Sequence, residues 1–325
     1  MNDITDKIGL IIEDARKKIY TQVNSIMVET YYEIGKNIVE YEQSGKQRAE
    51  YGENLIKNLS SKLTIKYGKG FSERNLEQFR KFYLIYRKSQ TLSAKLSWSH
   101  YTLILRIDEE LKRNFYLKET ENANWSVREL KRQISSALFE RLALSKNKEQ
   151  IIKLSKNGNI IENSKDLIKD PYILEFLNLE EKYEYTEKEM EQKLIDNLQK
   201  FILELGKGYS FVARQQRITL DDTHFYIDLV FYNRLLKSFV IIELKTIELK
   251  HEHLGQLQMY VNYYDREIKS KDENPTIGIL LCLNKKENII KYTLPENNNS
   301  IFASKYKLYL PNKEELENEV RKVLK

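Results

Sequence analysis

The stretch Phe225-Tyr-Ile-Asp228-Leu-Val-Phe-Tyr232, followed by Phe239-Val-Ile-Ile-Glu243-Leu-Lys245, decides the reading of this chain. Both runs have the length and apolar content of buried strands, and each carries an acid where such a strand should have none. Side chains alternate faces along a strand, so Glu243 and Lys245 point one way and Leu244 the other. If the two strands pair, Asp228 lies beside Glu243, and two carboxylates about 4 Å apart repel by roughly 4 kcal/mol at an effective dielectric of 20. A cation belongs between them. A hard divalent ion with oxygen ligands, most simply Mg²⁺, fits that place. An ion pair at a strand end is the plainer alternative. The triplet Glu-Leu-Lys carries nothing alone, because it also starts at Glu110, Glu129 and Glu248. Only the copy at Glu243 follows four apolar residues and a hairpin partner with its own acid.

Working outward, Thr186-Glu-Lys-Glu189 is a capping box that opens a helix to about Leu205, stopped at Gly206-Lys-Gly208. Glu191 shares the face of Ile195, Leu198, Ile202 and Leu205 on it, which makes it either a third ligand or an acid serving the helix dipole. Strands near 210–219, 224–232 and 238–245, a helix near 253–267, a strand near 276–283, a second short strand pair and a last helix over Lys313–Leu324 describe an α/β domain with a mixed sheet. Gln256 and Tyr260 are four apart on one helix face, where they can position water and phosphate. Taken alone, Tyr260 reads as a core tyrosine. His100, His224, His251 and His253 form no metal-ligand spacing on one element, and His251 and His253 read as solvated.

Residues 1–145 read as an all-α domain: Ile8, Ile12, Ala15, Ile19 and Val23 keep a helical stripe, and a helix over Gly52–Tyr67 meets Gly68-Lys-Gly70 before Ser72 caps another. This pair resembles a helix-turn-helix, with Arg74, Arg80 and Lys81 on its second helix; plain bundle packing is the alternative. Ser126-Val-Arg-Glu129 opens a helix to about Leu144 whose Arg128 and Lys131 face phosphates or water. The polar stretch 146–175 reads as a linker, and 176–325 as the C-terminal α/β domain.

At 325 residues, with 41% hydrophobic, 31% charged and 11% aromatic content, the chain is a globular protein of two domains rather than a disordered one. Its single cysteine, Cys282, excludes an intramolecular disulfide and a cysteine-rich zinc site. The N-terminus lacks a signal-peptide pattern and no apolar run reaches the roughly 20 residues of a membrane span, so the expected location is cytoplasmic, away from membranes. A net charge of +6 suits an anionic partner without demanding one.

The order of Glu191 on a helix, Asp228 on a strand, Glu243-Leu-Lys245 on the next and Gln256-Leu-Gln-Met-Tyr260 on a helix resembles the restriction-endonuclease-like PD-(D/E)XK core. More narrowly, Phe211-Val-Ala-Arg-Gln215, Tyr226–Tyr232, Ile242–Lys245, Gly255-Gln256 and Pro275–Cys282 resemble the bacterial YhcG family. So do Tyr32-Glu-Ile-Gly35, Arg48-Ala-Glu-Tyr-Gly52, Gly70-Phe-Ser72, Leu92–Tyr101 and Trp125–Leu130 in the first half. Asn233, where a histidine often stands, and Leu254, in place of a small residue, depart from that pattern. The resemblance implies a nuclease-fold domain behind a DNA-associated helical domain, with a role in foreign-DNA defence or genome maintenance. The expected chemistry is Mg²⁺-dependent hydrolysis of DNA phosphodiesters, Mn²⁺ substituting. Asp228, Glu243 and Glu191 are then ligands, and Lys245 acts electrostatically with Gln256 and Tyr260 beside it. Homo-oligomers and defence-system or restriction-modification proteins are the expected partners besides DNA. A DNA-binding or assembly protein that keeps the fold without cutting is the alternative, and a transcription factor a third.

Overall fold

The computed structural model describes residues 2–44, 49–88, 92–93, 95–144, 146–179 and 185–324; Arg48 and Ala94, within the motifs quoted above, lie outside them. By internal packing the chain divides into two units, Met1–Arg132 and Gln133–Lys325.

The first unit is helical. It comprises α1 (Asn2–Ser44), α2 (Ala49–Tyr67), α3 (Glu73–Tyr86), α4 (Trp98–Ile104), α5 (Glu110–Ala123) and the start of α6 (Val127–Ser135). Ile38, Ile56, Leu76 and Phe79 form a core between α1, α2 and α3, and Tyr31 stacks on Phe79 with ring centroids 4.2 Å apart. Gly35 permits this packing: a Cβ there would lie 2.0 Å from the Phe79 carbonyl oxygen, so any side chain would force α1 and α3 apart. α2 and α3 are joined by a short turn. Gly68 turns the chain with φ +91°, and Ser72 Oγ accepts from Asn75 N–H at 3.4 Å to start α3.

The second unit continues with α7 (Leu138–Ala143), because Ala137 takes a left-handed φ of 53° and breaks the single helix expected to run to Leu144. The stretch 146–175, read above as a linker, instead folds with this unit. It forms α8 (Lys148–Asn157), capped by Asn147 and Gln150, then β1 (Tyr172–Ile173), a two-residue edge strand. Next come α9 (Glu187–Asp196) and α10 (Leu198–Leu205), split at Asn197 where one helix was expected. They are followed by β2 (Tyr209–Leu220), β3 (Thr223–Asn233), β4 (Ser238–Glu248), α11 (His251–Tyr263), β5 (Ile277–Asn284), α12 (Glu287–Thr293), β6 (Ile301–Lys307) and α13 (Lys313–Leu324). The six strands form one mixed sheet in the order β1-β6-β5-β4-β3-β2, antiparallel from β2 to β4 and parallel from β4 to β1. The late strand pair expected from the sequence is therefore one strand, β6, whose outer neighbour β1 comes from far earlier in the chain.

Strand alternation sorts the core into two layers. Leu229, Phe231, Val240, Ile242 and Leu244 pack with Met190, Leu194, Phe201 and Leu205 of α9 and α10. Val230, Ile241, Leu280 and Cys282 pack with Leu254, Leu257, Tyr260 and Val261 of α11. Among the described residues no helix is long and apolar enough to cross a membrane.

Candidate active site

The β3–β4 ladder runs from Asn233↔Ser238 to Leu229↔Ile242. One step further, side chains replace the backbone bonds. Asp228 Oδ2 accepts from Leu244 N–H at 2.9 Å, and Glu243 Oε1 accepts from Asp228 N–H at 3.1 Å. Each carboxylate thus sits on the backbone of the other's pair, which satisfies two amides that would otherwise be orphaned. Asp228 Oδ1 and Glu243 Oε2 remain for other partners.

Those partners come from α9, β2 and β4. Gln215 Nε2 donates to Asp228 Oδ1 at 3.2 Å and to Glu191 Oε2 at 2.6 Å, so one amide bridges the strand acid and the helix acid. Gln215 lies opposite Asp228 with a left-handed φ of 45°, at a step where the β2–β3 ladder skips a pair. Arg214 Nε stands 3.3 Å from Glu191 Oε1 as an ion pair. Lys245 Nζ donates to Glu187 Oε2 at 2.9 Å and lies 3.9 Å from Glu243 Oε2. The capping box at the start of α9 fixes this end of the helix, with Thr186 N–H bonded to Glu189 Oε2 at 2.8 Å and Glu189 N–H to Thr186 Oγ1 at 3.2 Å.

Electrostatics follow from burial. Glu243 is 1% exposed, and desolvation followed by the charge of Asp228 pushes its carboxyl up to about 8. Burial also raises Asp228, against the opposing Leu244 amide and Lys245 charge. Glu191 is raised by burial and then by Asp228. Burial works against the Lys245 ammonium, but the bond to Glu187 and the charge of Glu243 outweigh it and leave its pKa raised. A raised pKa suits the charged form of this lysine and disfavours its use as a base. A pair of acids raised together in this way suits a bound cation, whose charge would restore both to the ionised form. Among the described residues, however, no three His, Cys, Asp or Glu side chains converge as a ligand set. Asp228 and Glu243 form a pair, and Glu191 reaches Asp228 through Gln215.

Gln256 and Tyr260 meet as their spacing implied. Gln256 Nε2 donates to Tyr260 Oη at 2.7 Å, and Tyr260 donates to the Tyr226 carbonyl at 3.2 Å. Tyr260 is fully buried, so it joins the α11 core while anchoring Gln256 over β3. Asn233 is a turn residue: its Oδ1 accepts from Leu235 and Leu236 N–H, and its amide donates to the Lys207 carbonyl. Leu254 is buried in the α11 core. His253 Nδ1 accepts from Lys250 N–H at the start of α11.

The residues expected to touch nucleic acid lie in the first unit. Arg74, Lys81, Arg128 and Lys131 are exposed, Lys81 pairing with Asp108 at 3.1 Å. Arg80 is committed, with Nε 3.0 and 2.9 Å from the two Glu42 carboxylate oxygens. The sequence reading missed Gln215, Arg214 and Glu187. The run of polar residues Arg214-Gln-Gln-Arg217 within a strand was a signal for the first two.

A mixed sheet flanked by helices, with two acids and a lysine at adjoining strand ends, defines a nuclease-fold domain of the PD-(D/E)XK class. Residues 165–321 match the YhcG PDDEXK nuclease domain, and residues 7–141 match the DUF1016 N-terminal domain. The Escherichia coli (strain K12) protein named "Putative nuclease YhcG" is 38% identical, over 98% of this chain and 92% of its own length. The chain belongs to the YhcG family. Among solved structures, a repair endonuclease from Pyrococcus abyssi aligns with 41% of this chain and 50% of its own at 21% identity and a TM-score of 0.27. An EndoMS complex with dsDNA aligns over the same shares at 17% identity and a TM-score of 0.27.

Proposed function

We propose that this protein is a cytoplasmic, Mg²⁺-dependent deoxyribonuclease, Mn²⁺ substituting, that acts in foreign-DNA defence or DNA repair. The observation carrying this reading is the crossed pair Asp228 and Glu243, two acids seated on each other's strand backbone with their second oxygens uncommitted to it. Those oxygens would hold the ion, and Glu191 on α9, tied to Asp228 through Gln215, would join them only if that amide gave way. Bound there, Mg²⁺ supplies acidification of a water and stabilisation of charge on the phosphate. Lys245, kept charged, adds stabilisation of the phosphoryl oxygens as negative charge develops. Gln256, oriented by Tyr260, positions water or phosphate at the strand edge. The membership of a PDDEXK nuclease family supports cleavage; DNA as substrate fits the basic balance of the chain and the exposed cations of the first unit.

The test is incubation of the purified protein with duplex, single-stranded and branched DNA, and with RNA, in Mg²⁺, Mn²⁺ or EDTA. Asp228→Asn and Glu243→Gln keep an acceptor for the Leu244 and Asp228 amides, so both should fold and neither should cut. Lys245→Ala should lose most turnover while calorimetry still registers metal binding. Unchanged cleavage by both carboxamide variants would sink the active-site assignment. DNA binding without metal-dependent loss of substrate would make the protein a non-catalytic DNA-binding or assembly factor.

A further inference from the structure

Beyond the last β3–β4 pair, Leu229↔Ile242, strands β2 and β3 run on together as a two-stranded ribbon, paired from Gln216↔Ile227 to Leu220↔Thr223. One face of the ribbon is covered. Ile218 and Ile227 are buried, and Leu220 and Phe225 half-buried, in the cluster that holds Leu254 and Leu257 of α11. Alternation puts Arg217, Thr219, His224 and Tyr226 on the other face, and all four are exposed. Asp228 follows Ile227 and so shares this outer face, in agreement with its link through Gln215 to Glu191 on α9. The ribbon therefore carries a row of side chains outward from the site's aspartate, and the nuclease reading uses none of them.

Arg217 and Tyr226 are register partners, which sets their Cβ atoms about 5 Å apart. Tyr226 stands two residues before Asp228, about 7 Å along the strand, a step of the same order as the spacing of successive phosphates on one nucleic-acid strand. Arg214 is held by Glu191 at 3.3 Å and His224 by Thr219 at 3.0 Å. Among the described residues the side chains of Arg217 and Tyr226 have no such partner, and Tyr226 is 47% exposed. A free guanidinium beside a bare ring is the pair of groups that a sugar-phosphate chain needs, one for the phosphate and one for the nucleotide's flat or apolar surfaces. We propose that Arg217 and Tyr226 seat the nucleic-acid strand being cut, Arg217 on the phosphate next to the scissile one and Tyr226 against the nucleotide between them. The inference rests on the nuclease reading. Charge limits the track: Asp221-Asp222 at the hairpin tip repels a phosphate, so the strand crosses the ribbon at Arg217 rather than running out along it.

The experiment uses the full chain, with cleavage of oligonucleotide duplexes followed in Mg²⁺ and binding measured on Glu243→Gln protein. Arg217→Ala and Tyr226→Ala should each raise KM by roughly tenfold and leave kcat within about threefold of the parent. Melting and calorimetric metal binding should stay those of the parent, since both side chains are exposed. Arg217→Ala should lower the log-log salt slope of duplex binding by about 0.9, and Arg217→Lys should restore it. A neutral methylphosphonate one phosphate away from the cut bond should slow the parent about as much as Arg217→Ala does, and should slow Arg217→Ala no further. Parental KM in the double variant Arg217→Ala, Tyr226→Ala, or equal sensitivity of parent and Arg217→Ala to the methylphosphonate, would overturn the inference and leave the nuclease reading standing. If the protein binds duplex without cutting it, the nuclease reading falls and the salt slope alone decides: a drop of about 0.9 on Arg217→Ala supports the seat, and an unchanged slope overturns it.

Discussion

Gln215 shows what one side chain can hold. A left-handed backbone costs a residue with a Cβ roughly 1–2 kcal/mol, and here it is retained at a position whose amide spans Asp228 and Glu191. Strain at a site that joins two acids is the pattern expected of a group that sets their spacing. Gln215→Gly should therefore relieve the backbone and keep melting within a degree or two of the parent, because the strain removed and the bonds lost are of similar size. Cleavage at saturating metal should fall at least about tenfold, since Glu191 loses its tie to Asp228. Full turnover with a higher melting temperature would mean that Gln215 only buffers charge. The sequence marked Gln215 only as one of a run of polar residues in a strand and gave no sign of the bridge it makes. Its role depends on a φ value and on pairing with residues 13 and 24 positions away. Asp228, Glu243 and Lys245 were legible, because a charged residue inside an apolar strand contradicts its surroundings and that contradiction can be seen locally.

At the scale of elements, caps and charges decide which helices form where. His100 caps α4: its Nδ1 accepts from Ser97 N–H at 3.1 Å, and its Nε2 donates to the Trp125 carbonyl at 3.0 Å, which requires the neutral ring with the proton on Nε2. Burial lowers the His100 pKa. A histidine depressed in the fold binds more protons when unfolded, so its contribution is complete above about pH 6.5 and is lost as pH falls below that value. His100→Gln retains the capping acceptor without titrating. The parent should lose more melting temperature than His100→Gln between pH 8 and pH 5; equal losses would show that His100 does not report on the fold. Arg141 is the second case. It lies in what the sequence presents as an ordinary amphipathic helix, yet it is fully buried, 2.6 Å from Glu204 of α10, and donates to the carbonyls of Ser136 and Pro171. Glu204 in turn accepts from Ile173 N–H in β1. This network explains why 146–175 packs with the second unit, and why β1, two residues long and without periodicity, escaped the sequence reading. Arg141→Met should cost about 3–5 kcal/mol in urea unfolding by stranding a buried carboxylate, and adding Glu204→Leu should recover much of it. An additive double variant would mean that the two side chains are not coupled.

At the scale of the molecule, the question is which unit supplies affinity for an anionic polymer. The second unit's acids gather at the strand ends, whereas the first unit exposes Arg74, Lys81, Arg128 and Lys131. Lys81 pairs with Asp108, but with 47% and 91% of the two side chains exposed such a pair is worth too little to keep the lysine from a phosphate. Arg80 is different, because Glu42 receives both of its Nε contacts and has already offset its charge. If the exposed cations meet phosphates, each contact releases condensed counterions, and each one lost should lower the log-log salt slope of duplex binding by about 0.9. Arg74→Ala, Arg128→Ala and Lys131→Ala combined should then flatten the slope by up to about 2.7 and weaken binding alike across sequences. Arg80→Ala should leave the slope unchanged while lowering the stability of the first unit, since it strands Glu42 on α1. Titrations at four or five salt concentrations, on catalytically silent Glu243→Gln protein so that substrate survives, separate these outcomes. A triple variant that keeps the parent slope would remove the first unit as the grip on DNA and make protein-protein assembly its better reading.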